Sequence, residues 1–123
     1  MAIKINSLLN EKAGRFGASQ ASAPFQQQFL DNLAYVLDHI DNRLGLSTSR
    51  PVSTSAEIDL DEQMYRGTIA MGLDYYFGLD GQWQVKSDTE MRMAFEDALR
   101  SLLMRYQKTL DLGAKLGDVD TEY

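Results

Sequence analysis

The chain has 123 residues, which is enough for one domain but too few for two. It contains no cysteine, so a disulfide scaffold, a thiol nucleophile and a zinc–thiolate site are excluded, and a reducing compartment is expected. The formal net charge of −6 argues against a general nucleic-acid binder, because an acidic protein repels phosphate backbones at long range.

Residues 1–24 are expected to form an N-terminal arm and linker. The stretch 3–16 is amphipathic but too short to be a stable helix by itself, and the small residues at 17–23 indicate a flexible connection. The polar start argues against a signal peptide, and the longest apolar runs, such as Tyr75–Phe77, are far too short to span a bilayer. We therefore expect a protein that is made and kept in the cytosol.

Apolar periodicity predicts the first main helix over residues 25–44. Pro24 is tolerated in a first helical turn, and Gly45 follows as a left-handed stop. The polar segment 47–57 then loses all periodicity and predicts an exposed loop. The apolar stripe of this helix has spacings of three and four residues and comprises Phe29, Leu33, Val36, Leu37, Ile40 and Leu44.

The second main helix is predicted from Asp59 to Phe77, with Asp59 as its cap and Glu62 three residues further on. Its apolar residues form two stripes on nearly opposite sides, so this helix has to be covered twice. Two flanking helices of the same chain, or a neighbouring subunit, would satisfy that need. The first stripe contains Leu60, Met64, Met71 and Tyr75. The second stripe, which we expect at a subunit interface, contains Tyr65, Ile69, Leu73 and Tyr76.

A capping box at Ser87–Glu90 predicts the start of the third main helix. The turn before it alternates polar and apolar residues through Trp83 and Val85, which indicates a short strand or hairpin arm. Met93 and Met104 fall on the side away from the core, where flexible methionines suit a subunit interface. The core stripe of this helix comprises Met91, Phe95, Ala98, Leu99, Leu102 and Tyr106.

Four basic residues place positive charge along the third helix, and acidic neighbours balance most of it. One interpretation is a solvated face, and the other is a basic strip that binds an acidic neighbour. The helix is predicted to end near Leu110–Gly113, and an extended tail at 111–123 then stays mobile unless a partner orders it. The basic residues are Arg92, Arg100, Arg105 and Lys108.

No group of residues has the pattern of a catalytic or metal site, so we expect no enzyme, no cofactor and no bound metal. His39 lies near aspartates but without a Gly-x-Ser-x-Gly turn, and is interpreted as a solvent-facing helix residue. The acidic group at 57–62 sits at a helix start, where negative charge is favoured without any function. The acidic group at 118–122 lacks the glycine and distal glutamate of a calcium loop.

Four segments carry a family resemblance: Phe29–Leu33, Ile58–Glu62, Gly72–Tyr76 and Ala94–Leu99. With the order of the three helices and the long first loop, they resemble the small head-to-tail adaptor (connector) proteins of tailed bacteriophages. The resemblance covers residues 25–110 and implies a helical bundle that forms a ring, commonly twelve-fold, under the portal. Such a ring extends the DNA channel, lets DNA pass without specific binding and offers a platform to the next neck or tail component.

By position, the resemblance also implies a portal-docking arm in the tail and a loop on the tail side of the ring, at Trp83 and Val85. The protein would then lie in the virion neck after assembly in the host cytoplasm. Its partners would be the portal protein, a tail or neck protein and further copies of itself, with no membrane. The docking arm comprises Leu110, Leu112, Leu116, Val119 and Tyr123.

The expected fold is all-α, a small bundle of three main helices over residues 25–110 with a flexible N-terminal segment and an extended C-terminal tail. One rival function is a small acidic helical regulatory or inhibitory protein that binds a basic protein partner. A tight complex with a host enzyme or a nucleic-acid-binding protein would favour it. The other rival is an enzyme subunit with carboxylate chemistry at Asp59, Asp61 or Glu62. Alanine substitutions at these positions that abolish a measured activity would favour this rival.

Overall fold

The computed structural model describes the backbone of residues 2–79 and 87–121, and the side chains of residues 2–79 and 87–110. This part of the chain is mostly helical, as predicted, with four helices and one two-stranded sheet. The predicted strand or hairpin arm at Trp83 and Val85 lies outside the described residues. In chain order the elements are β1 (Ile3–Lys4), α1 (Ile5–Phe16), α2 (Ala23–Leu44), β2 (Glu57–Ile58), α3 (Glu62–Gly78) and α4 (Asp88–Thr121).

The N-terminal stretch belongs to the core. Strand β1 pairs antiparallel with β2, with Ile3 opposite Ile58, and α1 buries Ile5, Leu8 and Leu9. The expectation of a flexible arm is therefore wrong for residues 3–16. A helix of 12 residues is marginal alone, but burial of its apolar face against the rest of the chain supplies the missing stability.

Helix α2 agrees with its prediction over 25–44. Ser22 caps it by accepting a hydrogen bond from the Phe25 amide, and Pro24 stands in the first turn. Gly45 ends the helix with a φ of 71°, a conformation that glycine adopts without strain. The predicted stripe is the buried face of this helix, including Phe29 and Leu33, which are fully buried.

The loop between α2 and β2 is anchored to α2 by Asp41. Its carboxylate accepts hydrogen bonds from the Thr48 amide at 3.1 Å and the Thr48 hydroxyl at 2.7 Å. Arg50 also bridges Asp41, at 2.9 Å, and Asp38. Burial disfavours the Asp41 carboxylate, but the hydrogen bonds from Thr48 and Arg50 outweigh it and hold the pKa below the ordinary 3.8.

This depressed pKa predicts an acid-sensitive loop. A carboxylate with a folded-state pKa below its unfolded value contributes stability above about pH 4, and that contribution is lost as the pH falls through the folded pKa. We expect Asp41→Asn to lower the free energy of unfolding at about pH 7. The decrease in stability between this pH and about pH 3 should then be smaller than in the wild type. Urea unfolding across this pH range measures it, with exposed Asp31→Asn on the same helix as the control. Equal pH profiles for all three chains would contradict the role of Asp41.

Helix α3 begins slightly later than predicted. Asp61, not Asp59, is its cap and accepts a hydrogen bond from the Met64 amide at 3.1 Å. The reason is that Ile58 pairs in β2 and is buried, so the chain reaches the helix only after the strand ends.

Helix α3 is covered by helices of its own chain. Tyr65, Ile69 and Leu73 are buried in the same core as residues of α2 and α4. Gly72 marks the closest approach, since a Cβ there would lie 2.7 Å from Val36 Cγ2 and 2.8 Å from Phe95 Cε1. The prediction that Tyr65, Ile69 and Leu73 form a subunit interface is therefore wrong, because flanking helices within one chain provide the second cover.

Helix α4 starts as predicted and ends later. The Ser87 hydroxyl accepts a hydrogen bond from the Glu90 amide at 3.2 Å, and the helix then runs for 34 residues to Thr121. The predicted extended tail is therefore wrong for the backbone of 111–121. Gly113 and Gly117 each cost about 1 kcal/mol in a helix without ending it. Apolar residues with helical spacing also follow in sequence, at Leu112, Leu116 and Val119.

Candidate interaction surfaces on the last helix

The part of α4 that packs against the core ends near Leu102. Leu102 is fully buried and Tyr106 is half-buried, but Leu110, on the same side of the helix, is 54% exposed. The backbone continues as helix from Leu110 to Thr121, which is about 16 Å at 1.5 Å per residue. Leu110 is thus an exposed apolar residue at the start of the predicted docking arm.

The outer side of α4 carries two exposed methionines. Met93 is 59% and Met104 is 71% exposed, and their separation of eleven positions in sequence places both on one line of the helix, about 16 Å apart. Between them lies an ion pair of Arg100 Nη2 with Asp97 Oδ1 at 2.5 Å. We call these four residues the methionine face. Flexible, polarizable methionine side chains adapt to the shape of a partner, so this face can form a contact surface.

A groove lies where α4 passes the start of α3. It has a volume of about 310 Å³ and is lined by Met64, Arg105, Lys108 and Thr109, which we call the basic groove. Arg105 Nη2 donates to the Met64 carbonyl at 3.4 Å. Among the described side chains, neither Arg105 nor Lys108 forms an ion pair, so the groove combines an apolar wall with two available cations.

His39 is half-buried rather than simply solvent-facing. Its Nε2 lies 2.6 Å from the Tyr76 hydroxyl, and its ring stands edge-on to Phe95 with centroids 5.4 Å apart. Burial raises the pKa of Tyr76, so its hydroxyl stays protonated at neutral pH. Tyr76 is therefore held by its own chain and has one edge at a small cleft of about 180 Å³, beside Tyr35 and Asp38.

The acidic group at 57–62 has structural roles. Asp61 caps α3, Glu62 pairs with Arg66 at 3.3 Å, and Glu57 pairs with Lys4 in the sheet register. In the part of the chain that the structure describes, no three histidine or carboxylate side chains converge as a metal site would require.

The sequence interpretation missed a buried ion cluster between α1 and α3. Lys12 Nζ lies 2.7 Å from Asp74 Oδ1, Arg15 Nε lies 3.1 Å from the same oxygen, and Lys12 is only 3% exposed. The available signal was the position of Lys12, one turn after Leu8 on the apolar stripe of α1. This cluster joins α1 to α3. It lies outside both the methionine face and the basic groove, so we assign it a structural role.

None of the described helices combines the length and apolar character required to cross a membrane. No protein-family model, curated protein or solved structure matches this chain. The features that bear on its partners are therefore the surfaces of α4 and the resemblance described above.

Proposed function

We propose that this protein is a structural head-to-tail adaptor of a phage neck, which forms a ring between portal and tail components and extends the DNA channel. The observation that carries the proposal is the methionine face, where Met93 and Met104 are exposed on a helix whose other side is packed in the core from Met91 to Leu102. A helix that packs one side in the core and exposes flexible apolar side chains on the other side is suited to assembly.

In this proposal the repeating unit is the bundle of α2, α3 and α4, to which α1 adds a fourth packed helix. The methionine face forms the contact between subunits, together with the exposed edge of Tyr76. The net charge of −6 suits a channel through which DNA slides, because an acidic wall does not hold phosphate. The protein would be assembled in the host cytoplasm and reside in the virion neck.

The C-terminal part of α4 provides the portal-docking arm. Leu110 is exposed in the isolated chain, and Leu112 and Leu116 follow it in sequence. Docking on the portal would cover Leu110, which the core of this chain leaves exposed. Trp83 and Val85 would meet the next neck or tail component.

The contact proposed for the methionine face predicts a sharp loss of assembly. Met93→Lys with Met104→Lys would bury unpaired charges between subunits, so we expect the dissociation constant for self-association to rise by at least about tenfold. Light scattering after size exclusion, and negative-stain imaging with and without the portal, measure this loss.

The matched control is Ala94→Lys with Ser101→Lys, which adds the same charge at two exposed positions on another side of α4. These substitutions should leave the rings intact. A wild-type protein that stays monomeric and never joins the portal would overturn the proposed function.

A second candidate function, regulation of a basic protein partner, is favoured by the cleft at Tyr76. Two tyrosine rings and the Asp38 carboxylate line it, and such a set attracts guanidinium or ammonium groups. Arg50 of the chain itself already pairs with Asp38 at this rim. A tight complex with a host enzyme or a nucleic-acid-binding protein, lost on Tyr35→Ala, would favour this function over the adaptor.

A further inference from the structure

The basic groove has a definite chemical preference. Arg105 and Lys108 supply two cations without ion-pair partners among the described side chains, and Met64 supplies an apolar wall. Its volume of about 310 Å³ is at the small end for ligand pockets, so it suits one large side chain and not a whole cofactor. The occupant that fits is a peptide segment with carboxylates next to an apolar residue.

The chain itself contains such a segment at its C-terminal end. Asp118, Asp120 and Glu122 alternate with other residues there, and Val119 and Tyr123 are apolar. The other acidic stretch, at 57–62, is already used in β2 and at the start of α3.

The segment cannot reach the groove of its own chain while α4 is intact. The helix is continuous from Lys108 to Thr121, which places Asp118 about 15 Å beyond Lys108 along the axis. A contact within one chain would require the helix to break and reverse.

We propose that the acidic segment 118–123 of one copy docks in the basic groove of a second copy. A carboxylate of the segment pairs with Arg105 and Lys108, and an apolar side chain of the segment packs on Met64. This inference rests on the proposed function, since it names two surfaces through which adaptor copies meet. It reassigns Val119 and Tyr123 from the portal to a neighbouring subunit and leaves Leu110, Leu112 and Leu116 to the portal.

Such a contact is head-to-tail in symmetry. A groove on one copy and a segment on the next are different surfaces, so each copy keeps one of each available for another neighbour. Assemblies of this kind close into rings or continue as filaments. Because the pairs are at the surface, salt weakens them, and association should fall between about 0.05 M and 0.5 M salt.

Charge reversal on each side tests the contact in the full chain. The groove variant is Arg105→Glu with Lys108→Glu, and the segment variant is Asp118→Lys with Asp120→Lys. Each alone should weaken self-association about tenfold, as measured by sedimentation velocity. The control for the groove variant is Arg92→Glu with Asn10→Glu and Ser101→Glu, which makes the same change of net charge at exposed positions elsewhere and should have no such effect. Circular dichroism verifies that every variant is folded.

An equal mixture of the two variants decides whether the contact lies between chains. Each reversed groove then meets a reversed segment, and each original groove an original segment, so association should return to the wild-type level. The chain carrying all four changes keeps the net charge of −6 and should also associate.

Three results would overturn the inference: reversals without effect, a control as damaging as the reversals, or recovery in the four-fold variant but not in the mixture. The last would place the contact within one chain. If wild-type rings persist through all reversals, the adaptor proposal stands and only the groove contact is lost. If the wild type neither associates nor binds the portal, both proposals are lost.

Discussion

Gly72→Ala should lower the free energy of unfolding by about 2 kcal/mol. A Cβ at this position would lie within 3 Å of both Val36 Cγ atoms and of Phe95 Cε1, so α2 and α4 would each have to move away from α3. Such overpacking costs about 3 kcal/mol, and the better helix propensity of alanine returns about 1 kcal/mol. Urea unfolding followed by circular dichroism measures the difference.

Gly67 provides the matched control in the same helix. A Cβ there meets nothing within 4 Å, so Gly67→Ala should stabilise the protein by about 0.5–1 kcal/mol through helix propensity alone. If both substitutions stabilise the protein, the three helices do not meet as closely at Gly72 as the structure indicates.

Asp74→Leu should cost about 3–5 kcal/mol. It leaves the Lys12 ammonium buried at 3% exposure without the carboxylate that now lies 2.7 Å away. Arg15 is affected less, because its side chain is 40% exposed and can turn to solvent. Thermal and urea unfolding measure the loss, which should appear as a lower midpoint.

The double variant Lys12→Met with Asp74→Leu separates the charge from the packing. Replacing both partners with apolar residues of similar size removes the buried charge, so most of the lost stability should return. A double-mutant cycle gives the coupling between the two positions. Additive losses would show that Lys12 and Asp74 do not act as a pair.

Local sequence patterns located the three main helices well. Each of α2, α3 and α4 has apolar residues at helical spacing, and Ser87 and Gly45 mark boundaries through their own hydrogen bonding and backbone preferences. The local sequence does not determine which residues pack against each apolar stripe. For Tyr65, Ile69 and Leu73, the choice between another helix and another subunit depends on contacts far along the chain.

Long-range contacts also explain the errors at both ends of the chain. Helix α1 is too short to be predicted from its propensity, and it exists because Lys12 meets Asp74 and its leucines meet the core. The basic groove joins Met64 to Arg105, which no local pattern links. By contrast, the exposure of Met93 and Met104 followed from helical phase alone.

The β1–β2 pairing has a consequence for synthesis on the ribosome. Ile3 reaches its final neighbour only after Ile58 has been made, and the Ile5 amide likewise waits for the Ala56 carbonyl. At about 5–20 residues per second, translation needs roughly 3–10 s to cover that interval. During those seconds Ile3 and Ile5 lack their final neighbours and stay in contact with water, so the part of the core that they share with Ile58 forms only after residue 58 has been made.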